Sequence, residues 1–172
     1  MNIVVLTSNH PRHKYFANQI SKHFNLIGVV SEQKSFSPLK NIKNSDEENI
    51  IINHFQRREL KEKKEFDTDF DNGFDILKIN KNSINKSVVL DFLKSEEIDY
   101  VFVYGTGIIG ELIIKEFPNK IINMHLGLSP YYRGAGTNFW PIVNAEPQYC
   151  GVTIHFLDKG SWVNFRRIQI QF

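Results

Sequence analysis

The fold is indicated first by residues 3–30, which read IVVLTSNHPRHKYFANQISKHFNLIGVV. The stretch opens with a short apolar run, Ile3 to Leu6, that has the length of a buried strand. Pro11 suits the first turn of a helix, because the N–H that proline lacks has no partner at that position. A second apolar run, Leu26 to Val30, follows. Strand, helix and strand within about thirty residues predict a βαβ unit, in which a right-handed crossover joins two parallel strands.

The same alternation continues along the chain. We predict further strands at 76–79, 100–104, 121–125 and 151–157, and further helices at 83–97, 109–117 and 137–143. This pattern predicts an α/β fold: an open, mostly parallel, twisted sheet flanked by helices, with ligands near the carboxyl ends of its strands. Residues 32–74 are more polar and include a charged helical segment from Ser45 to about Lys64. We interpret residues 32–74 as a polar helical insertion.

Composition limits the class of protein. The 172 residues are 41% hydrophobic, and 21 Lys+Arg against 19 Asp+Glu give a formal net charge of +2. This balance provides no strong field to attract nucleic acid or an anionic membrane. No apolar run approaches the roughly 18 residues of a membrane span, and the single cysteine, Cys150, suits a reducing compartment. We therefore expect a cytoplasmic protein.

A glycine-rich segment follows the strand at 100–104. Gly105, Gly107 and Gly110 form a G-x-G-x-x-G pattern that opens a helix, which is the setting of a nicotinamide dinucleotide site. The next strand, however, ends at His125, with no nearby carboxylate to hold a ribose. We prefer a backbone loop that approaches another flat ligand, and we rank a nicotinamide-dependent oxidoreductase third among the candidate functions.

Two polar side chains lie at the end of the strand at 121–125. Asn123 and His125 are two positions apart, so their side chains share a face of the strand. The amide of Asn123 can donate a hydrogen bond, and His125 can donate or accept a proton near neutral pH. The pair can hold a carbonyl whose oxygen becomes negative during attack, or it can merely satisfy loop backbone groups. His125 and His155 do not have the spacing of a metal site, so we expect no metal and a structural role for His155.

Two segments resemble a known family. The run from Asn123 to Gly134, NMHLGLSPYYRG, resembles the signature loop of folate-dependent formyltransferases. The run from Gly151 to Gly160, GVTIHFLDKG, is similar to the second signature of that family. The resemblance implies a Rossmann-like formyltransferase fold, with residues 1–160 as the catalytic domain.

The resemblance also implies a chemistry, which is transfer of a formyl group from 10-formyltetrahydrofolate to a primary amine. Asn123 is then the donor to the developing oxyanion. His125 stabilises that charge and helps to move a proton. The folate-binding residues that the resemblance implies are Gly105, Gly107, Ile108, Ile109 and Asp158.

The sequence departs from the family after Gly160. The third catalytic residue of the family, an aspartate, is expected at position 162, where this chain has Trp162, and the next expected glycine is Asn164. We interpret residues 1–160 as an incomplete, truncated catalytic domain and residues 161–172 as a divergent tail, with little activity. The alternative function is an inactive relic or a folate-binding module.

The class of formyl acceptor is indicated by residues 126–129, whose sequence is Leu-Gly-Leu-Ser. This sequence resembles that of the formyltransferases that act on nucleotide-linked amino sugars in polysaccharide biosynthesis more than that of the enzymes that act on methionyl-tRNA. We therefore expect a small-molecule amine as the partner, and neither nucleic acid nor membrane.

Overall fold

The structure, a computed structural model, describes residues 1–34, 45–134, 136–157 and 167–171. Its strands are β1 (Asn2–Ser8), β2 (Asn25–Glu32), β3 (Asp75–Ile79), β4 (Tyr100–Val103), β5 (Ile121–Leu126), β6 (Gly151–Phe156) and β7 (Arg167–Gln171). Its helices are α1 (Pro11–His23), α2 (Ser45–Phe66), α3 (Ser87–Lys94), α4 (Glu111–Glu116) and α5 (Trp140–Val143). A short 3-10 turn covers Pro147–Tyr149.

The described strands form one seven-stranded sheet in the order β3-β2-β1-β4-β5-β6-β7. The first five strands along the chain pair in parallel, while β6 and β7 join antiparallel. Because β2 lies on one side of β1 and β4 on the other, the strand order reverses between β1 and β4. Open α/β sheets bind ligands at the carboxyl ends of their strands near such a reversal. The predicted open, mostly parallel α/β sheet is confirmed.

The core lies on both faces of this sheet. Along β1, Val4 and Leu6 belong to one buried cluster, and Ile3 and Val5 belong to the other. This division follows from the alternation of side chains along a strand. Helices α3 and α4 pack on the first cluster and α1 on the second. Every residue of β1 from Ile3 to Ser8 is buried, as expected for a central strand that is covered on both sides.

Three predicted elements differ from the structure. Helix α3 begins at Ser87, not near position 83, because residues 83–86 form a separate turn, closed by the Lys86 N–H on the Ser83 oxygen at 3.1 Å. Helix α5 is only Trp140–Val143, a single turn within the predicted 137–143. The strand predicted last, β6, is followed by β7, which adds a further antiparallel strand to the sheet.

The charged helix predicted from Ser45 to Lys64 is present as α2. It connects the parallel neighbours β2 and β3 and packs beside α1. A salt bridge between Arg12 of α1 and Glu62 of α2 joins the two helices. The interpretation of residues 32–74 as an insertion stays a prediction. Within the described ranges, no helix combines the length and the apolar character that a membrane crossing requires.

Candidate active site

Asn123 on β5 lies directly opposite His155 on β6. Its Nδ2 is 3.1 Å from Nε2 of His155, whose Nδ1 is 3.0 Å from the backbone oxygen of Phe156. Since a carbonyl oxygen only accepts, Nδ1 of His155 carries the donated proton, and Nε2 of the neutral ring accepts from the Asn123 amide. One N–H of Asn123 is thereby used. The other has no partner among the residues that the structure describes, so it can donate to a ligand.

His125 lies two residues further along the same face of β5. Its Nε2 is 3.2 Å from the backbone oxygen of Tyr132 and must donate to it. This hydrogen bond orients the ring and leaves Nδ1 without a partner in the described part of the chain. Asn123 and His125 are both half-buried, so each is partly enclosed by the protein and partly exposed.

The Tyr132 side chain fixes the loop after β5, in which the Tyr132 backbone oxygen accepts the hydrogen bond from His125. Its hydroxyl donates to the Glu146 carboxylate and accepts from Nδ2 of Asn144 at 3.0 Å. The hydrogen bond to Glu146 raises the pKa of the Tyr132 hydroxyl above its usual value. The Tyr131 ring stacks on Tyr149 with their centroids 4.5 Å apart. The loop after β5 is therefore anchored to the segment that leads into β6.

Thr153 of β6 anchors the start of that loop. It is fully buried opposite His125, donates from Oγ1 to the Gly127 oxygen at 2.7 Å, and accepts from the Ser129 N–H at 3.0 Å. Gln169 of β7 donates to the Ser129 oxygen from the other side at 2.5 Å. The unpredicted strand β7 thus contributes to the support of the candidate site.

The glycine-rich loop at residues 105–110 follows β4, and Val103 of β4 pairs in register with Asn123. Gly105 adopts a φ of 74°, and a Cβ at that position would overlap the His13 ring. The Gly107 N–H donates to Oε2 of Glu32 at 2.7 Å. Asn85 accepts from the Gly110 N–H at 2.6 Å and donates to the Ile108 oxygen at 2.8 Å. Side chains from outside the loop thus hold it beside the β5 pair, by which we mean Asn123 and His125.

The two isoleucines of this loop have different surroundings. Ile108 is 91% exposed, whereas Ile109 is 8% exposed and belongs to the hydrophobic core. The assignment of both residues to folate binding stays a prediction, and the Ile109 side chain supports the loop from within the core. The backbone N–H groups of both residues have no hydrogen-bond partner in the described part of the chain.

The sequence profile of the formyl transferase family matches residues 1–163. The chain belongs to this family. Its members are folate-dependent formyltransferases that use 10-formyltetrahydrofolate as the formyl donor.

Curated formyltransferases match part of the chain. The methionyl-tRNA formyltransferase of Finegoldia magna is 33% identical over 89 residues, which cover 51% of this chain and 28% of the relative. That of Desulforamulus reducens is 42% identical over 71 residues, covering 41% of this chain and 22% of the relative. The matched segment spans only 28% and 22% of the length of these two relatives.

Solved structures show the same formyltransferase fold. A phosphoribosylglycinamide formyltransferase from Anaplasma phagocytophilum has a TM-score of 0.63 at 15% identity, covering 100% of this chain and 72% of its own. A formyltetrahydrofolate deformylase from Pseudomonas syringae pv. tomato has a TM-score of 0.57 at 12% identity, covering 99% of this chain and 51% of its own. Together with the family match, this confirms the Rossmann-like formyltransferase fold.

Two residues of the formyltransferase prediction lie outside the described residues, namely Asp158 and Trp162. The structure brings the other predicted residues to one edge of the sheet, at the carboxyl ends of β4 and β5. Within the described ranges, no group of His, Cys, Asp and Glu side chains is arranged to hold a metal ion.

Sequence reasoning missed several side-chain contacts that support the candidate site. For His155 a structural role was predicted but not its partner Asn123, because that contact depends on the β5–β6 register. His13 is buried and hydrogen-bonded from Nδ1 to the Ser8 hydroxyl. Glu32 at the end of β2 is an acidic residue in a buried run, and that placement was a usable signal.

Proposed function

We propose that this chain binds 10-formyltetrahydrofolate and supports transfer of its formyl group to a primary amine. The observation that carries the proposal is the β5 pair, in which an N–H of Asn123 and Nδ1 of His125 remain available beside the loop at 105–110. When bound, the folate supplies the formyl group: the amine nitrogen bonds to the formyl carbon, the bond from that carbon to N10 breaks, and a proton passes from the amine to N10.

Each residue of the pair has a distinct role in this proposal. Asn123 donates its remaining N–H to the formyl oxygen as negative charge develops there. Because His155 already holds the Asn123 amide, little reorganisation is needed, and a donor of this kind contributes about 10²–10³ in rate. His125 acts through Nδ1, stabilising the charge when protonated and accepting a proton when neutral.

The loop at 105–110 fits a pterin. The exposed Ile108 side chain offers apolar surface to a flat ring. The unpaired N–H groups of Ile108 and Ile109 offer donors to its edge. Gly105 and Gly107 bring the backbone close without side chains of their own. The residues present therefore suit the donor that the family uses.

For the acceptor, we propose a nucleotide-linked amino sugar. The sequence of residues 126–129 supports this class of acceptor, as does the positive charge near the start of α1. There, Arg12 and Arg58 both bind the single Glu62 carboxylate, which leaves positive charge in excess. Such excess charge suits an acceptor that carries phosphate. Methionyl-tRNA is the second candidate, because the curated relatives named above act on it.

Binding of the donor is tested by calorimetry with a non-transferable 10-formylfolate analogue. We expect the wild-type protein to bind it and Ile108→Asp to bind at least about tenfold more weakly, a loss of about 1.4 kcal/mol. The matched control is Ile50→Asp, since Ile50 is 69% exposed on α2. Equal affinity in the two variants would remove the loop at 105–110 from the proposal.

Transfer is tested at enzyme excess with a panel of nucleotide-linked amino sugars, glycinamide ribonucleotide and methionyl-tRNA. We expect slow formylation of an amino sugar, abolished by Asn123→Ala or His125→Ala. Formylation of methionyl-tRNA alone would establish the second candidate. Folate binding without a formylated product would establish the folate-binding module instead.

A further inference from the structure

Glu32, the last residue of β2, has a buried carboxylate that the proposed transfer does not use. The residue is 1% exposed. A buried carboxylate is costly unless other groups pair with it. Its Oε2 accepts from the Gly107 N–H at 2.7 Å and lies 3.6 Å from Nζ of Lys34, while Oε1 has no hydrogen-bond partner among the described residues. The hydrogen bond from the Gly107 N–H is the contact that offsets the cost of burying this carboxylate.

This bond joins two loops at the reversal of strand order. Strand β1 lies between β2 and β4, so the contact links the carboxyl end of β2 to the loop after β4 across the end of β1. The linked residues are 75 positions apart in sequence. Two side chains from outside the loop hydrogen-bond to its backbone at 107–110 in the described part of the chain, namely Glu32 and Asn85; within the loop, the Thr106 hydroxyl donates to the Gly107 oxygen at 2.8 Å.

Glu32 and Asn85 hold the loop at different points. Asn85 holds the Ile108 oxygen and the Gly110 N–H, at the far end. Glu32 accepts from the N–H of Gly107, the residue directly before Ile108, and is the partner of that N–H among the described residues. A carboxylate acceptor gives a shorter and stronger hydrogen bond than a neutral one. It therefore restricts the rotation of the Gly107 peptide, which glycine would otherwise leave free.

We propose that Glu32 is a positioning residue for the folate-facing loop. Its carboxylate fixes the Gly107 peptide and thereby sets the direction of the unpaired N–H groups of Ile108 and Ile109. Glu32 does not touch the ligand. The identity of that ligand rests on the function proposed above, whereas the contact with Gly107 does not.

The experiment compares Glu32→Ala, which removes the acceptor, with Glu32→Gln, which keeps a carbonyl oxygen at the same reach. Hydrogen exchange of the Gly107 amide is followed by NMR in both variants and in the wild type. We expect the amide to be protected in the wild type, to exchange about tenfold faster or more in Glu32→Ala, and to stay protected in Glu32→Gln. The strand amide of Val5 serves as the internal reference for global unfolding.

The second readout is affinity for the 10-formylfolate analogue, which should fall about tenfold in Glu32→Ala and largely return in Glu32→Gln. Unchanged affinity in a folded Glu32→Ala protein would overturn the positioning role. If Glu32→Ala does not fold, the wild type still decides, because a Gly107 amide that exchanges as fast as that of the loop residue Gly73 contradicts the contact. If the wild type binds no folate, the proposed function fails, and the Gly107 exchange rates still decide whether Glu32 holds the loop.

Discussion

His13 is a buried residue whose ionisation is linked to stability. Burial, followed by the positive charge of Arg12, lowers the pKa of His13 to about 2. In the unfolded chain, a histidine ionises near 6.5. Between these values the unfolded state binds a proton that the folded state does not, so the free energy of unfolding rises with pH. The contribution of His13 is complete above the unfolded pKa and is lost as the pH falls below it.

We expect acidification from pH 7 to pH 5 to destabilise the protein, with His13 contributing up to about 1.4 kcal/mol per pH unit below its unfolded pKa. His13→Asn should lower this slope, because it removes the group that titrates only on unfolding. Urea unfolding at several pH values measures both slopes. His23→Asn on the same helix is the control, since His23 is exposed. Identical slopes for His13→Asn and the wild type would contradict the assignment.

At this scale, the sequence predicted the arrangement of side chains that follows from local alternation. Asn123 and His125 share a face because they are two positions apart on a strand. The partner of Asn123 was not predictable in the same way, because His155 reaches it only through the antiparallel register of β5 and β6. The inward direction of Ile109 was missed for a related reason, since a loop has no fixed side-chain period.

At the scale of elements, Gly28 determines how α3 packs on the sheet. A Cβ at Gly28 would lie 2.8 Å from Cζ of Phe92 on α3. We expect Gly28→Ala to lower the free energy of unfolding by about 1–3 kcal/mol through overpacking. Phe92→Leu should relieve part of that loss when the two are combined. A double-mutant cycle by urea unfolding measures the coupling, and purely additive effects would contradict the predicted contact.

Thr153 links two further elements, β6 and the loop after β5. Thr153→Val would remove the hydroxyl that hydrogen-bonds to the Gly127 oxygen and to the Ser129 N–H, both of which belong to buried residues. We expect a loss of about 1–3 kcal/mol or more, because unpaired buried polar groups are costly. Thermal and urea unfolding measure it against Thr106→Val, since among the described residues the Thr106 hydroxyl bonds to the adjacent Gly107 oxygen alone, at 2.8 Å. Equal stability in the two variants would exclude Thr153 as an anchor.

The elements themselves were predicted to the extent that their periodicity was local. The βαβ unit at the start of the chain appears with β1, α1 and β2 in the expected places. Helix α3 begins later than predicted because the separate turn at residues 83–86 precedes the first helical residue. Strand β7 was missed because a short alternation of Arg, Ile and Gln is equally typical of an exposed segment, and only its pairing with β6 makes it a strand.

At the scale of the whole molecule, Trp162 determines the expected activity. The resemblance places a carboxylate there, and an indole donates one N–H but accepts nothing. We expect Trp162→Asp to raise the transfer rate only slightly, because Asn164 also departs from the family pattern. Rebuilding residues 161–172 to that pattern should raise the rate much further, toward the 10²–10⁴ typical of acid–base assistance.

The rate of single-turnover formyl transfer is measured side by side for the unmodified chain, Trp162→Asp and the rebuilt chain. His125→Ala in the rebuilt chain is the control, since it should abolish the gain. Robust turnover by the unmodified chain would show that position 162 has no catalytic role.

The global architecture was the most predictable property, because the alternation of strands and helices leaves few arrangements of a parallel sheet. The strand order could not be obtained from periodicity, since neighbouring strands such as β1 and β4 are far apart in sequence. Their pairing depends on tertiary packing, which local patterns do not encode.

The contact between Asn123 and His155 also sets an order of events during synthesis. The two residues are 32 positions apart, and they meet only when β6 aligns beside β5. A ribosome that adds about 5–20 residues per second leaves the Asn123 amide without its acceptor for seconds after β5 has emerged. The parallel strands can assemble during that interval, but Asn123, the proposed oxyanion donor, acquires its orientation only afterwards. Nascent chains arrested before position 155 would therefore carry the parallel strands of the sheet while the Asn123 side chain still lacks its partner.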